Sequence, residues 1–328
     1  MGDRGAKEDL SFPTHRSRRG GPVRPPGLAS AERCRLVTSA HARGCQAKSR
    51  WRRTSAAYLS GDGIEPATVT KRRAFGQHFL RDAGTARAIV DLVAPTAADL
   101  VVEIGPGEGA LTVELARRAG HVLALEVDRT LVERLRRRFP AVEVLEADAR
   151  TWDYAALARP AGGRALVVGN LPYSVSKPIL AALVAARAAI DEMALMLQRE
   201  VAERVAAGPG GKTYGALSVL TQVHCDVRLA LRVPPGAFRP PPKVESAVLH
   251  LRVLREPRVP VADVRRFETV VRAAFAQRRK MLANTLAAGL GLPLAAVRAA
   301  AAAAGVDPSR RAETLTLAEF AALARALA

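Results

Sequence analysis

Cysteine is scarce in this chain of 328 residues, which holds only Cys34, Cys45 and Cys225, with no CxxC pair and no even framework. Neither a disulfide scaffold nor a thiolate zinc site can be built from them, so a reducing, cytoplasmic location without a structural metal is expected. Long uninterrupted apolar runs are missing as well. The longest, residues 181–190 and 286–305, are rich in alanine and carry Arg187, Pro293 and Arg298, which predicts a soluble chain with no membrane partner. Acids are in deficit: 31 Asp and Glu face 50 Lys and Arg, giving a formal charge of +19 and a pI near 11.1. A surplus of that size points to a polyanionic partner. What is present in quantity is apolar residue, 49% of the chain, and the length suits one good-sized domain with a smaller companion.

Residues 1–70 mix Pro, Gly, Ser and Arg without helical or strand periodicity, and hold 13 Lys or Arg against 6 Asp or Glu. This tail is expected to be disordered. A basic RNA-grasping arm, an Arg-rich targeting segment and a start codon assigned too far upstream all fit it. The last is preferred, because the structured pattern begins at Lys71, and the early acids Asp3, Glu8 and Asp9 speak against a transit peptide. From there strand and helix patterns alternate: strands over 100–104, 122–126, 142–146, 165–169 and 193–197, with helices between them. The alternation predicts an α/β, doubly wound parallel sheet. An apolar stretch at helical spacing over 214–225, two late strands over 227–233 and 247–253, and helices only after Pro257 complete the pattern. The helices are expected over 262–276, 278–288, 294–304 and 317–327. The switch places a boundary near residue 256, giving an α/β domain over 71–256 and an all-helical domain over 257–328.

Chemistry collects at the carboxyl ends of the strands, where open α/β sheets bind ligands. Glu103-Ile104-Gly105-Pro106-Gly107-Glu108-Gly109 lies between the first of the five strands and its helix. It departs from the dinucleotide fingerprint and carries acids where a pyrophosphate would rest, so a cofactor with a cationic head fits better. Glu126, at the next strand end, is positioned to accept two ribose hydroxyls. Asp148, after the third strand, suits either an adenine amino group or a helix cap. Asn170-Leu171-Pro172-Tyr173 follows the fourth strand; an ordinary strand-to-turn junction is its plainer reading, and its place in this series of strand ends favours a ligand site.

The segments Phe75 to Leu80, Glu103 to Gly109, Asn170 to Tyr173, Leu197 to Val201, Tyr214 to Val219, Phe238 to Val244 and Ala274 to Lys280, in that order, resemble the bacterial small-subunit ribosomal RNA adenine N6,N6-dimethyltransferases. The resemblance covers the chain from about Lys71 to its end. It implies a class I, Rossmann-like S-adenosylmethionine-dependent methyltransferase with a small all-helical C-terminal domain that binds RNA. It further implies S-adenosylmethionine held by His78, Leu80, Gly105, Glu126, Asp148 and Asn170. The substrate would be two adjacent adenines in the 3′-terminal hairpin loop of 16S rRNA within a 30S precursor, modified by a monomer that serves subunit biogenesis. His78 departs from many relatives, which carry Asn there; both can offer a hydrogen bond.

Catalysis on this reading falls to Asn170, Leu171, Pro172, Tyr173 and Phe238. Adenine N6 is a weak nucleophile because its lone pair is delocalised into the ring. Acceptance of its two hydrogens by the Asn170 side-chain oxygen and the Leu171 carbonyl would steer that lone pair out of plane. Tyr173 and Phe238 would clamp the base by stacking, each worth ~1–3 kcal/mol, with core packing as the alternative role of both. Lys243, Arg272, Arg278, Arg279 and Lys280 are candidate phosphate contacts, although a solvated helix face would also account for the run 278–280. The rival readings are a large-subunit adenine methylase of the macrolide-resistance kind and a catalytically idle assembly or transcription-factor paralogue.

Overall fold

The computed structural model describes residues 78–327, which fall within one compact unit. The basic tail and Phe75-Gly76-Gln77 lie outside the described residues. A seven-stranded sheet forms the centre, in the order β4-β3-β2-β5-β6-β9-β7. Its strands are β2 (Leu100–Ile104), β3 (His121–Glu126), β4 (Glu143–Glu146), β5 (Ala165–Asn170), β6 (Glu192–Gln198), β7 (Cys225–Val233) and β9 (Ser246–Val253). β4, β3, β2, β5 and β6 run parallel, as the alternating pattern predicts. The two late strands, for which the pattern sets no direction, run the other way: β9 is antiparallel to β6 and β7 antiparallel to β9, so the sheet is mixed. Strands β2 and β5 are apolar and buried along nearly their whole length, as a sheet covered on both faces requires.

Helices α1 (Ala83–Val93), α2 (Ala110–Arg118) and α3 (Arg129–Arg138) cover one face, burying Ile89, Leu115 and Leu135 against alternate strand residues such as Val101, Ala124, Leu166 and Met196. That period of two marks the inward face of each strand. α4 (Ser176–Ala185) follows the Asn170 segment, and α5 (Arg199–Ala206) packs on β6, β7 and β9. A separate two-stranded ribbon pairs β1 (Phe79–Leu80) with β8 (Phe238–Arg239), antiparallel, with Leu80 opposite Phe238. Nothing local in the sequence signals it, because its partners lie far apart in the chain.

Helices α6 (Ala216–Gln222), α7 (Val264–Ala274), α8 (Leu282–Leu290), α9 (Leu294–Ala303) and α10 (Leu317–Ala326) share a second core, in which Tyr214, Phe275 and Phe320 touch in series. Tyr214, Val219 and Val223 belong to that core, so the C-terminal helices bury their apolar stripe partly against α6. Two helix expectations need correction. Helix α6 ends at Gln222, and Cys225 already opens β7. Residues 275–280 form a turn between α7 and α8, so Arg278, Arg279 and Lys280 do not share a helix face.

At the edge where the parallel strands begin, buried Glu192 joins His250, Arg252 and Arg164. His250 Nε2 lies 2.5 Å from its Oε1, Arg252 Nε donates to the same oxygen at 3.1 Å, and Arg164 donates to Oε2 at 3.1 Å. Arg164 also donates to buried Asp99 at 2.9 Å. Burial alone would raise the Asp99 carboxyl, but bonds from Arg164 and Thr96 outweigh it and hold it down at about 2. A carboxyl depressed in this way stabilises the fold above its ordinary titration range, and that contribution is lost as pH falls through about 2. Arg164→Met, which leaves buried Asp99 without a cation and takes one partner from Glu192, should therefore lower stability at neutral pH by on the order of 3 kcal/mol in chemical denaturation. The deficit should shrink between about pH 4 and pH 2.

Candidate functional site

Register decides where the ligand groups meet. Ile104 pairs with Leu125 on one side and with Gly169 on the other, and Glu126 pairs with Glu146. Gly105, Glu126, Asp148 and Asn170 consequently leave the sheet along one edge, and all four line a single open cavity. The glycine loop is built for close approach. Gly105 and Gly107 hold φ of 65° and 58°, and a Cβ on Gly107 would stand 2.8 Å from the Phe79 ring. Glu126, 4% exposed, ties this loop to the next turn: its Oε2 accepts from Gly107 N at 3.1 Å, and its Oε1 accepts from Val127 N at 2.9 Å and Asp128 N at 3.1 Å. Burial raises its carboxyl above the usual range despite these bonds. Glu103, fully buried before the loop, is pushed up to about 8 by burial, against a lowering contribution from Thr112 and with a further push from nearby Glu126, and is largely uncharged at neutral pH.

The Asn170 segment lies directly beside this loop, where a Cβ on Gly105 would stand 3.3 Å from the Asn170 carbonyl. Asn170 Nδ2 donates to the His78 main-chain carbonyl at 3.0 Å. A carbonyl can only accept, so the carboxamide must present its nitrogen there, and Oδ1 is left to face other groups. His78 is itself fixed, its Nδ1 donating to the Pro240 carbonyl at 2.7 Å. Leu171 N extends the β5–β6 ladder by bonding Met196 O at 3.1 Å. The half-buried Tyr173 ring lies 5.7 Å from the His78 ring, and its hydroxyl is 2.6 Å from Ser246 Oγ at the start of β9. Pro172 lines the cavity beside them.

His78, Gly105, Glu126, Asp148, Asn170, Leu171, Pro172 and Tyr173 are thus brought together. Leu80 and Phe238 are not. Each is about 5% exposed and packed in the main core, because their pairing in the β1–β8 ribbon turns both side chains inward. This corrects the expectation of a stacking face on Phe238; its ring packs as core. The structure adds Phe79 and Arg150 to the lining, each within two positions of a candidate site residue. Among the cations, Lys243, Arg272, Arg279 and Lys280 are exposed, Arg272 with a loose partner in Glu268 at 3.6 Å. Arg278 has a different occupation: its guanidinium donates to Lys212 O at 2.6 Å, Tyr214 O at 3.2 Å and Glu313 at 3.4 Å, tying a loop to the helical core. Among the described residues no group of His, Cys, Asp and Glu could hold a metal ion, and no helix is long and apolar enough to cross a membrane.

The donor set fits S-adenosylmethionine: acids Glu126 and Asp148 for hydroxyl and amino groups, a loop packed so closely on Phe79 that Gly107 has no room for a Cβ, and few cations against a positive sulfonium. Gly107→Ala should weaken S-adenosylmethionine binding tenfold or more in calorimetry, since the left-handed conformation costs a non-glycine residue ~1–2 kcal/mol even before the Phe79 ring is displaced.

Comparison with known proteins agrees with this geometry. A family model described as ribosomal RNA adenine dimethylase matches residues 68–328. A protein named ribosomal RNA small subunit methyltransferase A from Magnetococcus marinus is 47% identical over 264 residues, covering 80% of this chain and 93% of its own length. Its namesake from Geobacter sulfurreducens is 46% identical over 274 residues, covering 82% and 98%. Among solved structures, a dimethyladenosine transferase from Plasmodium falciparum shares the fold with a TM-score of 0.63 at 24% identity, over 75% of this chain and 96% of that one. The 23S rRNA methyltransferase ErmE aligns with a TM-score of 0.58 at 29% identity, over 76% and 99%. By family match and by relatives well above a third identical over most of its length, the chain belongs to the ribosomal RNA adenine dimethylase family.

Proposed function

We propose that this chain uses S-adenosylmethionine to dimethylate N6 of two adjacent adenines in the 3′-terminal hairpin loop of 16S rRNA, acting as a cytoplasmic monomer on a 30S precursor. The observation that carries the reading is the fixed Asn170 carboxamide: with Nδ2 committed to the His78 carbonyl, Oδ1 can only accept. An acceptor held this way at the mouth of a cavity suits an exocyclic amine, which has two hydrogens to give. The bound cofactor supplies an electrophilic methyl on a cationic sulfur that needs no activation.

The chain's own residues do the rest. Glu126 and Asp148 hold the cofactor's hydroxyl and amino groups. Asn170 Oδ1 and the Leu171 carbonyl take the N6 hydrogens and turn the lone pair out of the base plane. Pro172 restricts the backbone of Leu171 before it, and Tyr173 offers a stacking face. Orientation of this kind is worth roughly 7–11 kcal/mol, so transfer needs no prior deprotonation of N6; the nitrogen, cationic once it carries the methyl, then releases its proton to solvent. A stacked base cannot present N6, so the target adenines are taken from an exposed loop or extruded from their stack. Residues 71–256 form the catalytic part on this reading, and 257–328 serve RNA binding. Lys243, Arg272, Arg279 and Lys280 contact phosphate, while Arg278 shapes the loop beside them. ErmE shares the fold and carries 23S rRNA in its name, so the fold alone does not separate the two substrates.

Transfer assays on undermethylated 30S particles and on 50S particles test the proposal directly. Label should enter the 30S, with both loop adenines dimethylated in mass spectrometry; transfer to the 50S alone would overturn the reading. Tyr173→Phe, which loses one hydrogen bond to Ser246, should retain most activity. Tyr173→Ala should lose roughly tenfold or more, in line with a stacking contribution of ~1–3 kcal/mol. Arg279→Ala combined with Lys280→Ala should reduce the slope of log affinity for the RNA against log salt by about 1.5, read from filter binding.

A further inference from the structure

Arg150 is the only Lys or Arg lining the candidate cofactor cavity among the described residues, and it grips the acid that the cofactor would use. Asp148 Oδ1 accepts from the Arg150 main-chain N at 2.9 Å and from its Nε at 3.0 Å. Oδ2 accepts from Nε at 2.9 Å and from a terminal guanidinium nitrogen at 2.5 Å. The guanidinium beside it holds the Asp148 carboxyl below the usual range. A carboxylate offers about four lone-pair sites, and these contacts claim nearly all of them. A purine amino group that is to donate to Asp148 must therefore displace one of the guanidinium bonds. The rearrangement is open to the pair, because the Arg150 side chain is 52% exposed and water can take its place.

We propose that Arg150 is a positioning residue acting through Asp148, a latch that competes with the purine amino group of the cofactor for the same carboxylate. The inference rests on the reading of Asp148 as the adenine acceptor. Donor and spent donor carry the same purine, so the latch weakens both. That matters for a reaction that places two methyls on each base. Spent cofactor must leave before the second methyl can be supplied, and a guanidinium that recloses on Asp148 as the purine departs favours the exchange. The competition costs affinity and gains turnover.

A double-mutant cycle in S-adenosylhomocysteine binding by calorimetry tests this. Arg150→Met keeps the chain length and removes the charge, and should tighten binding about two- to fivefold, the range expected for an exposed ion pair. Arg150→Lys, which cannot form the forked contact, should fall between. Asp148→Asn should weaken binding, and in that background Arg150→Met should change nothing. Added salt should narrow the gap between wild type and Arg150→Met, because it screens the pair. If Arg150→Met binds no tighter while Asp148→Asn is weakened, the latch is overturned and the adenine reading stands; looser binding would mean that the guanidinium contacts the cofactor directly. A gain that persists in the Asp148→Asn background also overturns it. If Asp148→Asn binds as wild type, both the adenine reading and the latch fall.

Discussion

Everything in the site depends on the parallel pairing of β2 with β3 on one side and β5 on the other. With Ile104 opposite both Leu125 and Gly169, the residues that follow each strand emerge at one level. A slip of one residue in either ladder would turn Glu126 or Asn170 to the other face of the sheet. The pairing is protected by its burial, since β2 and β5 lie wholly between helices. Chemistry on the loops is held to register by strands that take no part in it.

Charge is sorted by the same arrangement. The exterior is basic, as the composition requires, while the cavity presents Glu126 and Asp148 with a single arginine already paired to one of them. Two negative groups in a half-enclosed space suit a cationic small molecule, and exposed cations elsewhere suit a polyanion. The two ligands are thereby addressed by opposite fields. Glu103 fits this pattern in an unexpected way: burial leaves it largely uncharged, so the glycine loop does not rest on a third anion.

Local periodicity made the parallel strands, the glycine loop and the strand-end residues legible, because each buried strand is bounded by turn residues and followed by a helix. What stayed hidden depended on partners distant in sequence. The β1–β8 ribbon joins segments some 160 residues apart, and with it went the true position of Phe238, whose neighbouring prolines suggest exposure while its pairing partner Leu80 draws it into the core. Arg278 reads as one member of a basic run, yet two loop carbonyls and Glu313 claim it. The antiparallel direction of β7 and β9 is equally silent in the sequence, since a buried strand reads alike in either direction. Arg150 lies only two positions from Asp148, but an arginine in a basic chain carries no local sign that its guanidinium folds back onto that carboxylate.

The hydrogen bond from Asn170 to the His78 carbonyl carries a consequence beyond orientation. His78 stands at the edge of a ribbon only two residues long on each side, and so small a piece of sheet has little cooperativity of its own. Lifting that ribbon removes the acceptor that fixes the carboxamide, and a carboxamide without its acceptor is free to turn.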